Sequence, residues 1–347
     1  MHPAADQPAP APPPAETGGD GASRPRRWIT LLKLAATLTI FAVIASCVDL
    51  GEMLEKIREF PVRLIGLVLL LWIAQFFLSV CKWDQLLKVH GLQYSYAALS
   101  RWYAIGYFYN QLLPSIIGGD GYRIFKTMRN GRHRACAVLP VFLERLSGIA
   151  ALWTLGTVSA VVDWSLSGNV FSYWAMIVGG GGLGVGLLGL AVWCGTQWHR
   201  RLLAWRRTPN VLRVLAEHSA EYLQHPVRCF WAGLISFVFH GGRGLIYWIL
   251  LWGLDVPIGI LPVLVVLAAT TVISMLPISL GGYGLIEGSF MACMLYYGVD
   301  PEAALTAMLV MRATTLPIAA VGGLLGLWEH RRSDDQVRPM SPVAKYA

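Results

Sequence analysis

The sequence predicts an all-α fold, a polytopic membrane helical bundle of about eight transmembrane helices plus a re-entrant segment. Three observations predict it. Of 347 residues, 55% are hydrophobic and only 14% charged, and the mean hydropathy is +0.53, so the chain carries far more apolar surface than one soluble core can hide. The apolar residues fall in runs close to the roughly 20 residues that a helix needs to cross a bilayer. Basic residues cluster in alternate connections between those runs, the bias that orients membrane helices.

Residues 1–27 are rich in Pro, Ala and Gly and contain no apolar run, so they read as a disordered tail that cannot bury enough surface to offset its ordering entropy. A transmembrane domain follows over 28–330, and 331–347 form a short polar tail. The expected spans are 28–48, 61–81, 135–162, 171–194, 227–252, 258–276, 284–299 and 303–328, the seventh being short. The first is long and lacks a small-residue cleavage pattern, so it reads as an uncleaved helix rather than a signal peptide.

Arg24, Arg26 and Arg27 precede the first span, Arg200, Arg201, Arg206, Arg207 and Arg213 follow the fourth, and Arg331 and Arg332 follow the last. The opposite connections carry Asp163, Asp255, Asp300 and Glu302. This bias puts both termini on the cytoplasmic side of a bacterial inner membrane. The apolar stretch 102–117 has Lys82, Lys88 and Arg101 before it and Arg123, Lys126, Arg129, Arg132 and Arg134 after it. Basic flanks at both ends favour a segment that enters and returns, with a ninth crossing as the rival. Trp198 to Gln224 mixes leucines and tryptophan with arginines, which suits either a helix on an anionic leaflet or a solvated basic loop.

One pattern occurs twice: Leu113-Pro114-x-x-x-Gly118-Gly119-x-Gly121 and Leu276-Pro277-x-x-x-Gly281-Gly282-x-Gly284. Pro removes a backbone donor and Gly removes side-chain restraint, so such a break at membrane depth must be surrounded by protein or line a polar cavity. Helices restarting after these breaks present partly positive amides that favour anions, with Asp120 as a cap for the first and Ser279 or the glycines for the second. Charge bias puts both motifs near the cytoplasmic face, so matched motifs do not by themselves establish inverted halves. Close helix packing is the alternative use of such glycines.

Ionisable residues within apolar spans are costly and should face the interior. They are Glu144 and Arg145, His240 and Arg243, Glu287, and Arg312. His240 and Arg243 are three residues apart, on one helical face, with Gly241 and Gly242 between them to admit a ligand or another backbone. Arg243 serves either as a headgroup contact or as the partner of Glu144 or Glu287. Two acids against three arginines leave one guanidinium over, for which a phosphate is a natural partner, unless Asp120 or Asp84 reaches the site. The six cysteines form no CxxC pair and the histidines no HExxH motif, so no metal or cofactor site is assigned, and nothing points to nucleic acid.

Asn110 to Pro114, Gly118-Gly119-Asp120 with Arg123, Glu144-Arg145, Pro277 through Gly281-Gly282-Tyr283-Gly284 with Glu287, and Arg312 together resemble the transmembrane region of lysylphosphatidylglycerol synthases, also described as a flippase-like membrane family. The resemblance runs from about 28 to 330. It implies a lipid-translocating bundle with re-entrant segments around a central cavity, acting on a phospholipid or an isoprenoid-linked or related lipid with an anionic or polar headgroup, with lipid-biosynthesis enzymes as candidate partners. Bifunctional relatives append a soluble aminoacyl-transferase domain; no such domain follows the last span here, so lysine transfer is not expected. The readings to be weighed against translocation are an integral-membrane lipid or glycosyl transferase and an accessory subunit of a lipid-synthesis complex.

Overall fold

The computed structural model describes the backbone of residues 27–46, 48–112, 117–128, 134–195, 221–222, 224–274 and 283–336, and side chains over slightly shorter stretches. The described residues form eleven α-helices and no strand. They are α1 (Arg27–Ser46), α2 (Leu50–Glu59), α3 (Val62–Val89), α4 (Tyr96–Leu112), α5 (Ile117–Met128), α6 (Arg134–Ser167), α7 (Val170–Gly195), α8 (Pro226–Trp252), α9 (Ile260–Ser274), α10 (Leu285–Leu295) and α11 (Pro301–Gln336). The chain is a polytopic helical bundle. Each expected apolar run lies on a helix, and four of them (in α3, α6, α8 and α11) are long and apolar enough to cross a membrane alone. A fifth is possible if α1 and α2, bent by 81° at their junction, make one broken span. The last helix continues past the expected boundary at 330 to Gln336. Most of 198–224 lies outside the described residues.

Helix α2 was not expected from the sequence. Its amphipathic pattern starts at Asp49, whose carboxylate accepts from the Gly51 and Glu52 amides at 2.7 and 3.2 Å and so satisfies two of the unpaired donors of the first turn. Met53 faces the core, while Leu54 and Ile57 are exposed. Such a helix suits the membrane interface rather than its interior.

Two ends of the bundle can be distinguished. At the basic end, His90 meets Glu221 at 2.7 Å, Tyr94 donates to the Thr127 carbonyl at 3.0 Å, and the Tyr122 hydroxyl donates to Glu329 at 2.8 Å. At the acidic end, the Asp49 amide donates to Glu302 at 3.2 Å and the Asn169 amide group donates to the Tyr296 carbonyl at 3.0 Å. The Tyr94 to Thr127 bond brings the start of α4 beside the end of α5, so this pair is a hairpin that returns to the end from which it came.

Helices α9 and α10 form a second hairpin, from the opposite end. Trp248 on α8 donates to the Ile258 carbonyl just before α9, and α10 finishes at Tyr296 beside the α6–α7 turn, so both open ends lie at the acidic end. With 15 and 11 residues, α9 and α10 are about 22 and 16 Å long, against a hydrocarbon core of about 30 Å. The expected spans 258–276 and 284–299 therefore pack on one another as short helices instead of crossing singly. The expectation that both Pro-Gly motifs sit near one face is corrected accordingly. Gly119 packs beside α4 and next to Asp120, whose partner Arg145 is eleven residues into α6; Gly284 packs on Ile40 of α1, and Glu287 meets Arg312, eleven residues into α11. Gly119 of the first motif and Gly284 of the second lie about 16 Å into the bundle, from opposite ends.

Apolar packing follows the same division. The largest core joins α3, α8, α9, α10 and α11 toward the acidic end, around Val68, Leu250, Val266, Met294 and Met308. A second joins α3, α4 and α6 toward the basic end, around Val80, Trp83, Leu87 and Leu99. Between them lies a belt of polar side chains.

Candidate functional site

Seven helices contribute to this belt. Gln75 and Lys82 come from α3, Tyr103 and Tyr107 from α4, Asp120 and Arg123 from α5, Glu144 and Arg145 from α6, His240 and Arg243 from α8, Glu287 from α10, and Arg312 from α11. Gln75 is 3% and Lys82 6% exposed. Charged and amide side chains persist at such burial only when paired or when they have a task.

Three carboxylates and three arginines are already matched. Glu144 pairs with Arg123, and the Tyr103 hydroxyl donates to its other oxygen at 2.9 Å. Arg123, 4% exposed, is also held between aromatic faces, its guanidinium carbon 4.3 Å from the Trp83 ring centroid and 4.4 Å from that of Tyr103. Asp120 accepts two hydrogen bonds from Arg145, at 3.0 Å from Nε and 3.2 Å from Nη2. Glu287 accepts from Arg312 at 2.5 Å and from the Gly284 amide at 2.8 Å. The expected pairing of Arg243 with Glu144 or Glu287 does not occur, because Arg123 and Arg312 occupy those acids.

Capping also differs from expectation. Helix α5 begins at Ile117, ahead of Asp120, so Asp120 sits in the first turn and turns its carboxylate to α6 instead of closing the helix start. At α10, by contrast, the N-cap is one of the expected glycines, Gly284, whose φ of +78° is a conformation that glycine adopts without a side-chain clash, and Glu287 reaches back to accept its amide. Gly118 lies in the first turn of α5, and Gly119 donates its amide to Asn110 Oδ1 at 2.9 Å. A Cβ on Gly119 would strike the Gly106 carbonyl, so here the glycine serves close packing within the hairpin. Pro114, Pro277, Gly281 and Gly282 lie outside the described residues.

What remains after the pairing is a set of unmatched polar atoms. Among the described residues Arg243 forms no ion pair, and its buried Nε has no hydrogen-bond partner; His240 Nδ1 and both amide atoms of Gln75 also lack a hydrogen-bond partner. Lys82 donates to the Glu144 carbonyl at 2.7 Å, which uses one of its three N–H groups. Tyr107, hydrogen-bonded by Gln111 at 3.3 Å, lies within electrostatic reach of both Arg243 and Arg312 and so links the α8 and α11 sides of the belt. The arrangement can receive an anion through donors that the protein itself leaves unused.

Sequence reasoning brought Asp120, Arg123, Glu144, Arg145, His240, Arg243, Glu287 and Arg312 to notice, and all lie in this belt. It missed Gln75, Tyr103 and Tyr107, and it treated Lys82 as a flanking charge. A glutamine inside a run as apolar as Leu64 to Val80 was the available signal.

The family model described as "Lysylphosphatidylglycerol synthase TM region" matches residues 30–322. No curated protein matches the chain.

Proposed function

The chain belongs to the lysylphosphatidylglycerol synthase TM-region family of multi-pass membrane proteins, and we propose that it is a lipid translocator, moving a phospholipid or an isoprenoid-linked or related lipid across a bacterial inner membrane. The observation that carries this reading is Arg243, a guanidinium within α8 that has no carboxylate partner among the described residues and whose buried Nε has no hydrogen-bond partner. A headgroup phosphate supplies the missing anion. Its tails stay in the surrounding lipid while Arg243, Arg312 and the α10 amides stand in for the water it leaves behind.

On this reading the basic end faces the cytoplasm and the headgroup arrives from that leaflet. Binding has to be moderate: fixed donors lower the barrier, and release requires that none of them hold too tightly. Because Arg243 pairs with no acid, removing it takes little from the fold. Reconstituted protein with Arg243→Ala should therefore unfold at the same temperature as the natural chain and move a fluorescent anionic lipid about ten-fold more slowly. Natural protein that moves no lipid class faster than empty vesicles would sink the proposal, and chemical modification of a lipid without its movement would point to a transferase instead.

A further inference from the structure

Helix α5 is held to its neighbours by different means on its two sides. Toward α3, α4 and α6 it is seated: Ile124 packs on the core around Trp83 and Leu99, the buried Arg123 pairs with Glu144, and the Thr127 carbonyl accepts from Tyr94 at 3.0 Å. Toward α11 no core crosses the gap. The cluster that contains Met308 and Met311 includes no described residue of α5, and the residues of α5 buried among those described are Gly119, Arg123 and Thr127. Phe125 is 60% exposed. Helix α11 is itself fixed against α4, since a Cβ on Gly322 would strike the Ala104 carbonyl and one on Gly323 the Phe108 ring.

What closes α5 against α11 is one carboxylate. Glu329, where the apolar span of α11 ends, accepts from Lys126 Nζ and, at 2.8 Å, from the Tyr122 hydroxyl. Tyr122 and Lys126 are one turn apart and share a face of α5, with the Lys126 ammonium 5.4 Å from the Tyr122 ring centroid. Arg101 on α4 adds a second cation, its guanidinium carbon 6.0 Å from the Trp328 ring centroid and within electrostatic reach of Glu329. The Glu329 side chain is 27% exposed, against 10% for Glu144. A pair at that exposure exchanges for water at small cost, whereas separating a buried pair such as Arg123 with Glu144 strands a charge. Segments with few buried apolar contacts are the ones that open locally while the rest of a fold stays closed.

We propose that the seam between α5 and α11 is a gate at the basic end, closed by Glu329 across Tyr122 and Lys126, and that it opens when α5 tilts away from α11 about the Arg123–Glu144 pair. The helix that moves carries Asp120 and Arg123 of the polar belt, so parting the seam joins the belt to water at that end. The clasp stands on its own contacts; its use in transport rests on the translocation reading.

The test labels the purified full chain in detergent with hydroxyl radicals and reads the oxidation of each tyrosine by mass spectrometry. Glu329→Gln keeps an acceptor for Tyr122 but removes the charge, and should raise labelling of Tyr122 about five-fold. Labelling of Tyr247, 3% exposed in the large core, and the unfolding temperature should not change. Lys126→Gln should do the same, and the two changes together should exceed either alone by no more than about two-fold, because both remove one contact. In vesicles, Glu329→Gln should move a fluorescent anionic lipid about five-fold faster than the natural chain. Unchanged labelling of Tyr122, an equal rise at Tyr247, or fully additive effects of the two substitutions overturn the gate. A looser seam without faster movement, in a chain whose natural form does move lipid, also overturns it and leaves the translocation reading. A natural chain that moves no lipid removes that reading, and the labelling alone then decides the clasp.

Discussion

The two hairpins carry the same Pro-Gly pattern and use it differently. In α4–α5 the helix starts before the last glycines, so Gly119 lies inside it and presses on the Gly106 backbone. In α9–α10 the helix starts after Gly284, which takes a left-handed turn and is closed by Glu287. The first hairpin is anchored by charge, with Arg123 to Glu144 and Arg145 to Asp120 on α6, and Lys126 and Tyr122 to Glu329 on α11. The second is anchored mainly by apolar packing of Phe290 and Met294 in the large core, with Glu287 to Arg312 as its single ion pair among the described residues. A shared sequence pattern marks where a helix is interrupted. Its neighbours decide what the interruption is for.

That contrast can be broken most severely at Glu144. Replacing it with Ala leaves Arg123, 5% exposed in its side chain, without its carboxylate, and should cost about 3–5 kcal/mol in the unfolding free energy measured in mixed micelles. Glu287→Ala should cost less, about 1–3 kcal/mol, since Arg312 keeps 30% of its side-chain exposure and the Tyr283 ring 4.4 Å away, and the main loss is the acceptor for Gly284 N–H. Equal costs at the two sites would mean that the hairpins are not anchored differently.

The glycines sharpen the comparison within one motif. Gly119→Ala should destabilise by about 1–3 kcal/mol, because its Cβ meets the Gly106 carbonyl and Asn110. Gly121→Ala, two residues away in the same helix and facing open space, should stabilise by about 0.5–1 kcal/mol. If both changes destabilise alike, close packing at Gly119 is not the reason for the pattern. The smallest effect is expected at Arg145→Ala, below about 1 kcal/mol, because Arg145 is 48% exposed and its bond to Asp120 is screened.

Much of the site was legible because ionisable residues are rare in membrane spans. Glu144, Arg145, Arg243, Glu287 and Arg312 announce themselves against Leu, Val and Ile, and counting them predicted one arginine in excess. Which arginine was not legible. Arg123 stood with the first motif among the candidate cavity residues, but only the return of α5 beside α6 brings it to Glu144. Gln75 is uncharged, so its burial and missing partners emerge only when helices are placed side by side.

The sequence alone determined that this is a membrane-embedded all-α chain, where its apolar runs lie, and where its helices break, because hydropathy, run length and the chemistry of Pro and Gly act locally. The tertiary structure decided that the two hairpins come in from opposite ends, and that Arg243 has no ion pair among the described residues. Both depend on which helices become neighbours, and a pairing such as Arg123 with Glu144 is not written in either one's local surroundings.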